Sequence, residues 1–196
     1  MVFVLKKTLY PTEQQREDVK MKREAWMWEQ PTMPWDKLVF IDETGINTGM
    51  TRLYGRASSH QRVVDYTPDI RFERTTVLSS IRASAEMVPL IFEGALDGEM
   101  FGKYVAQCLA PSLQPGDIVI MDNLSSHKVE GVIDPIISAG ATVRYLPAYS
   151  PDLNPIELMW SKIKAYLRKL KARAKEALEQ ALVEALDCIS QNDVLA

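Results

Sequence analysis

Two runs of four consecutive apolar residues, Leu38-Val39-Phe40-Ile41 and Ile118-Val119-Ile120-Met121, each lead directly into an aspartate, Asp42 and Asp122. A strand with one wet face alternates apolar and polar residues, so an unbroken apolar run needs cover on both faces, as in a sheet held between helices. Ligands of open α/β sheets sit outside the carboxyl ends of the strands, which makes Asp42 and Asp122 candidates for one shared site. Each aspartate also reads simply as the start of a turn, with Thr44-Gly45 after the first and Asn123 after the second.

Around these runs the pattern predicts further strands over 51–58, 74–83, 88–92 and 142–146. Helices are predicted over 100–109, with Asp97 as N-cap and Pro111 as stop, over 129–139, and from Pro155 towards Ile189 with a break near 171–174. Strands first, then alternation, then helices at the end describe an α/β protein built on one mixed sheet. Residues 2–5 read as a strand. Thr12 with Gln15 forms a possible capping box ahead of a highly charged helix, and Pro31 and Pro34 close that stretch. Residues 1–35 therefore read as a connecting arm with an exposed helix, and 36–196 as the main domain.

Composition narrows the class. With 196 residues, 46% hydrophobic, 25% charged and a net charge of −3, the chain matches an ordinary globular protein with a core of its own. No apolar stretch approaches the ~18 residues of a membrane span, and the first residues lack the pattern of a signal peptide, so a cytoplasmic location is expected. Cys108 and Cys188 are too few for a disulfide framework and read as structural thiols in a reducing compartment. The phosphate-binding GxxxxGK loop, GxGxxG and GxSxG are all missing.

A third acid changes the weighing of Asp42 and Asp122. In Ser150-Pro151-Asp152-Leu153-Asn154-Pro155-Ile156-Glu157, Asn154 reads as an N-cap, Pro155 as the first helical residue and Glu157 as the third. A capping role for Glu157 and a place at the mouth of a site are compatible. Mg²⁺ favours oxygen ligands and is usually held by one or two carboxylates with water and substrate phosphate, and two such ions suit in-line displacement at phosphorus. The His and Cys clusters that would signal zinc are absent from the sequence.

The elements Phe40-Ile41-Asp42-Glu43, Met121-Asp122-Asn123 with His127-Lys128, and Tyr149 to Glu157 resemble the Asp/Asp/Glu signature of mariner-like and bacterial insertion-sequence transposases. Asp122 and Glu157 stand 35 positions apart, the spacing of that group, and the likeness runs from about Lys6 to about Asn192. It implies a ribonuclease-H-like fold with a central mixed five-stranded sheet flanked by helices, and Asp42, Asp122 and Glu157 as catalytic metal ligands for Mg²⁺ or Mn²⁺, two ions in all. It implies cleavage at transposon ends and transfer of the freed 3′ hydroxyl into target DNA, commonly at TA, by a homodimer. Asn123, His127 and Asn154 would support the ligands or position substrate. For His127, beside Ser125 and Ser126, a helix-start hydrogen bond and a DNA contact both remain open. Such transposases usually carry an N-terminal helix-turn-helix, whereas only about 35 residues precede the first catalytic strand here. The chain thus reads as a catalytic portion without its DNA reader, or as a DNA-binding, dimerising remnant that no longer transposes.

Lys162, Lys164, Arg168, Lys169, Lys171, Arg173 and Lys175 form a basic run free of acids. It reads as a solvated helix face or as a surface for DNA phosphates, and its start one turn after Glu157 favours the second, with Lys162, Lys164, Arg168 and Lys169 as DNA-binding candidates. Arg52, Arg56 and Arg62 read as ordinary surface arginines.

Overall fold

Strand β1 (Leu38–Ile46) runs through the middle of the sheet, and its side chains alternate between two separate cores. Leu38, Phe40 and Ile46 join one cluster, Val39 and Ile41 the other, which is the double cover that the apolar run requires. The computed structural model describes residues 10–52, 54–58, 61–68, 74–124, 127 and 129–194. Strands β2 (Thr75–Arg82), β3 (Leu90–Glu93), β4 (Ile118–Met121) and β5 (Thr142–Tyr145) complete a five-stranded sheet in the order β3-β2-β1-β4-β5. The β1–β2 and β2–β3 pairs are antiparallel; β1–β4 and β4–β5 are parallel. This is the expected mixed sheet.

Unequal strand lengths create the site. β1 stays paired with β2 as far as Ile46↔Thr75, but its parallel pairing with β4 ends at Phe40↔Ile120. From Asp42 onward β1 has therefore lost its neighbour on that side. Asp42 does not start a turn: Thr44 and Gly45 continue the strand, opposite Val77 and Thr76.

Helices α1 (Glu17–Glu29), α2 (Gly98–Tyr104), α3 (Asp134–Ser138), α4 (Ile156–Leu170), α5 (Lys175–Asp187) and α6 (Gln191–Val194) surround the sheet. Ile156, Met159, Trp160, Ile163 and Leu167 bury one stripe of α4, and Leu178, Leu182 and Leu186 bury one of α5, in the same cluster as Phe40. On the other face Phe101 and Tyr104 from α2 and Ile136 from α3 pack on Val39 and Ile41. The Asp97 carboxylate caps α2 by accepting from Met100 N at 2.8 Å. Lys171, at φ 54°, closes α4 in the left-handed conformation, and α5 follows after the expected break.

Several expectations fail for local reasons. Among the described residues of 51–58 there is no strand. The helix expected over 129–139 shrinks to Asp134–Ser138, because Gly131 takes φ 77° and Pro135 is tolerated only in a first turn. The Thr12/Gln15 capping box does not form: residues Thr12–Gln15 make a separate 3₁₀ turn, Arg16 is extended, and α1 starts at Glu17. Nor does Asn154 cap α4, since no side chain caps that helix and the Asn154 Oδ1 is buried without a partner. The strand expected over 2–5 lies outside the described residues. Among them, no helix is long and apolar enough to cross a membrane.

Candidate active site

The three acids picked out in the sequence line one cavity of about 370 Å³, with Asn123, Asn154 and the loop 146–151 as its other walls. Asp42 comes from β1, Asp122 is the first residue after β4, and Glu157 lies in the first turn of α4. The placement follows from chain geometry. Even-numbered residues of β1 face α4, so Asp42 points where Phe40 does, and its carboxylate Oδ2 accepts from the indole Nε1 of Trp160 at 3.1 Å. Burial, then the nearby Glu157 and Glu43 carboxylates, push Asp42 up to about 8.

Asp122 is held from the opposite face. Its Oδ1 lies 2.7 Å from Nδ1 of His127, a ring with no exposed surface whose centroid is 4.1 Å from that of Phe101. With the proton on Nδ1, the imidazole donates to the carboxylate. The Leu124 N–H donates to the same oxygen at 3.3 Å. His127 is thus too buried for an exposed DNA contact, and its ring nitrogen faces Asp122 instead. Asn123 is exposed on the cavity wall, and buried Asn154 reaches the same cavity.

The loop before α4 is anchored from outside the sheet. Tyr149 takes φ 57°, and its carbonyl accepts from Gln14 Nε2 at 2.5 Å. Arg23 of α1 donates to both oxygens of Asp152, at 2.9 and 2.6 Å. The segment 10–29 therefore fixes the loop that presents Glu157.

A family model for the DDE superfamily endonuclease matches residues 37–179, which spans β1 to α5 and all three acids. The chain belongs to this family. The DDE endonuclease fold also matches solved structures at low identity. The Mos1 transposase paired-end complex with left transposon end superposes with a TM-score of 0.78 at 16% identity, covering 99% of this chain and 62% of that one. The Mos1 mariner paired end complex with Mn gives 0.70 at 18% identity, with 99% and 62% covered. The Mos1 transposase catalytic domain with Raltegravir and Mg gives 0.66 at 17%, with 94% and 88% covered. The chain spans about three-fifths of the length of the transposase chains in those paired-end complexes. No curated protein sequence matches it.

The donor set of this DDE endonuclease fits a hard divalent cation: oxygen-only carboxylates share one cavity, and their mutual repulsion, which helps to raise Asp42, is what a cation relieves. Among the described residues no three or more His, Cys, Asp or Glu side chains form a group that could hold a metal ion; Mg²⁺ is usually held by one or two carboxylates, with water and substrate phosphate as the other ligands.

The basic run divides into two parts. Lys171 pairs with Asp65, Lys175 with Glu93, and Arg173 donates to the carbonyls of Thr48 and Met50. Lys162 donates to Cys188 O at 2.9 Å and Asp193 Oδ2 at 2.7 Å, so this DNA-binding candidate ties α4 to the end of the chain. Lys164 and Arg168 follow Glu157 by about two and three turns on its own helix face. Burial lowers the half-buried Lys164 ammonium, Glu157 opposes that shift and Arg168 adds to it. Among the described residues no hydrogen bond or ion pair engages Lys164, Arg168 or Lys169. Arg52, set aside in the sequence, shares a groove of about 570 Å³ with Lys162, Arg168 and Lys169, beside Tyr54 and Tyr166.

Two neighbours of the acids escaped the sequence reading. At helical spacing Trp160 reads simply as a core residue of α4. Glu43 points to the other face of β1, where its Oε2 is buried without a partner and burial, then Asp122, raises its carboxyl. The signal for Glu43 was the strand alternation, and for Trp160 its place one turn after Glu157.

Proposed function

We propose that this chain is the catalytic domain of a DNA transposase that cuts phosphodiester bonds at transposon ends and joins the freed 3′ hydroxyl to target DNA. The observation that carries the reading is the convergence of Asp42, Asp122 and Glu157 on one cavity within a DDE endonuclease fold. These residues would hold Mg²⁺ or Mn²⁺, two ions in all. The similar catalytic domain solved with Mg and the paired-end complex with Mn support that choice. Held there by Asp42, Asp122 and Glu157, such ions would supply activation of the attacking oxygen and stabilisation of the leaving one in an in-line displacement.

The chain's own residues do the positioning. His127 orients Asp122, the Gln14 and Arg23 contacts hold the loop before Glu157, and Asn123 and Asn154 offer amides to substrate from the cavity wall. Lys164, Arg168 and Lys169, with Lys162 on their flank, would meet DNA phosphates. In the first step water attacks phosphorus and the 3′ oxygen leaves as a 3′ hydroxyl; in the second that hydroxyl attacks a target phosphodiester, at TA by the resemblance, and the target strand's own 3′ oxygen leaves. The same resemblance gives a homodimer working on DNA.

The test is nicking of supercoiled plasmid with Mn²⁺ or Mg²⁺. The wild-type chain should nick, EDTA should stop it, and Asp42→Asn, Asp122→Asn or Glu157→Gln should each abolish nicking while the thermal melt stays cooperative. Activity surviving any one substitution removes that residue from the catalytic set. A wild-type chain that never nicks, even fused to an end-recognition domain, would leave the DNA-binding, dimerising remnant as the better reading.

A further inference from the structure

Trp160 is 1% exposed and sits in the cluster between the sheet and α4, yet its one polar atom is aimed at the site. The indole N–H is a donor only, and a buried donor needs an acceptor. It finds one 118 positions away in the chain, at Asp42 Oδ2. The same helical turn carries Glu157, three residues earlier. Asp122 is held in the same manner, one of its oxygens facing a ring nitrogen of fully buried His127.

We propose that Trp160 is a positioning residue, whose indole N–H occupies Asp42 Oδ2 so that Oδ1 alone faces the cavity, and whose ring locks that carboxylate to the helical turn bearing Glu157. The inference rests on the reading of Asp42 as a metal ligand. Its consequence is that the separation of the two carboxylates is set by one turn of α4, and any shift of that helix moves both together. Groups that orient metal ligands from behind typically contribute about 10–100-fold to metal affinity.

The experiment follows Mn²⁺ binding to the purified chain without DNA, by loss of the free-ion electron paramagnetic resonance signal. Trp160→Phe keeps an aromatic ring and removes the N–H; it should weaken binding by about 10–100-fold. In nicking assays the deficit should appear in the Mn²⁺ concentration for half-maximal rate and disappear at saturation. Tyr104→Phe is the control, because Tyr104 is also a fully buried aromatic residue but its hydroxyl donates to Val88 O at 2.9 Å, away from the acids; its affinity should be unchanged. An equal loss in both variants would reveal general loosening of the core and overturn the proposal. Unchanged binding in Trp160→Phe beside a clear loss in Asp42→Asn overturns it alone. Unchanged binding in Asp42→Asn overturns the reading of Asp42 as a ligand, and this inference with it.

A second measurement needs no Trp160 variant. Among the indole N–H signals in the nuclear magnetic resonance spectrum, Asp42→Asn should displace one, and Mg²⁺ should shift that same signal in the wild-type chain. If no single indole signal answers to both, the proposal fails.

Discussion

At the far end of the sheet from the three acids, Asp117 has no exposed surface, and its Oδ2 accepts from Arg82 Nη2 at 2.6 Å and Gln114 N at 2.7 Å. Burial alone would raise this carboxyl; the Arg82 guanidinium and the Gln114 N–H more than offset it and hold it below the usual carboxylate range. The stabilisation is therefore complete above the unfolded value near 3.9 and is lost as pH falls through the lowered folded value. Removing the cation strands the anion. Arg82→Met should cost about 3–5 kcal/mol in urea unfolding at neutral pH, with Mn²⁺ affinity of the folded protein unchanged, because Arg82 sits opposite Val39 while Asp42 faces Ser79. A cost under about 1 kcal/mol would mean that Asp117 is not confined as its burial implies. The same residue scale separates what the sequence could reveal from what it could not. Asp42, Asp122 and Glu157 were legible because each follows an apolar run or opens a helix. Of the residues behind them, His127 was legible only through the resemblance, and Trp160 was not, since at helical spacing it reads as an ordinary core residue and only its single indole nitrogen faces an acid.

Elements were legible where a single period governed them and obscure where the tertiary structure supplied the partner. The stripe of α4 and the break after it were readable from spacing alone. α1 was readable as an exposed helix from its charges, but its docking site was not, because only Val19 and Trp26 of its thirteen residues are buried. What holds it is polar: Arg23 on Asp152, Gln14 on the Tyr149 carbonyl, and Arg144 with Glu29. The Arg23 guanidinium keeps the Asp152 carboxyl below the usual range. With that sign, the contact is intact above the ordinary carboxylate value and released as pH drops through the lowered one. Amide hydrogen exchange should then quicken over α1 in acid before it quickens over α4, and Arg23→Gln should produce the same local loosening at neutral pH. Uniform acceleration along the chain would show that the segment is not held through this pair. A loosened α1 should also slow nicking, since the loop it holds leads straight into Glu157.

For the whole molecule the governing fact is a net charge of −3 on a protein read as acting on a polyanion. Association must then come from a local field, and the distribution of cations says where. Lys171 and Lys175 have carboxylate partners and Arg173 is spent on carbonyls, whereas Lys164, Arg168 and Lys169 lie on α4 between the acid cavity and the groove with Arg52. Each cation that neutralises a DNA phosphate releases condensed counterions and adds about 0.9 to the slope of log affinity against log salt. Measured by fluorescence anisotropy on duplex DNA, Lys164→Gln and Arg168→Gln should each reduce that slope by about one, without changing sequence preference. Lys171→Gln and Lys175→Gln should leave the slope nearly unchanged and reduce stability instead, because their charges already answer Asp65 and Glu93. The reverse pattern would move the DNA path off the helix face that carries Glu157. It would also break the link between phosphate binding and the helix face that carries Glu157.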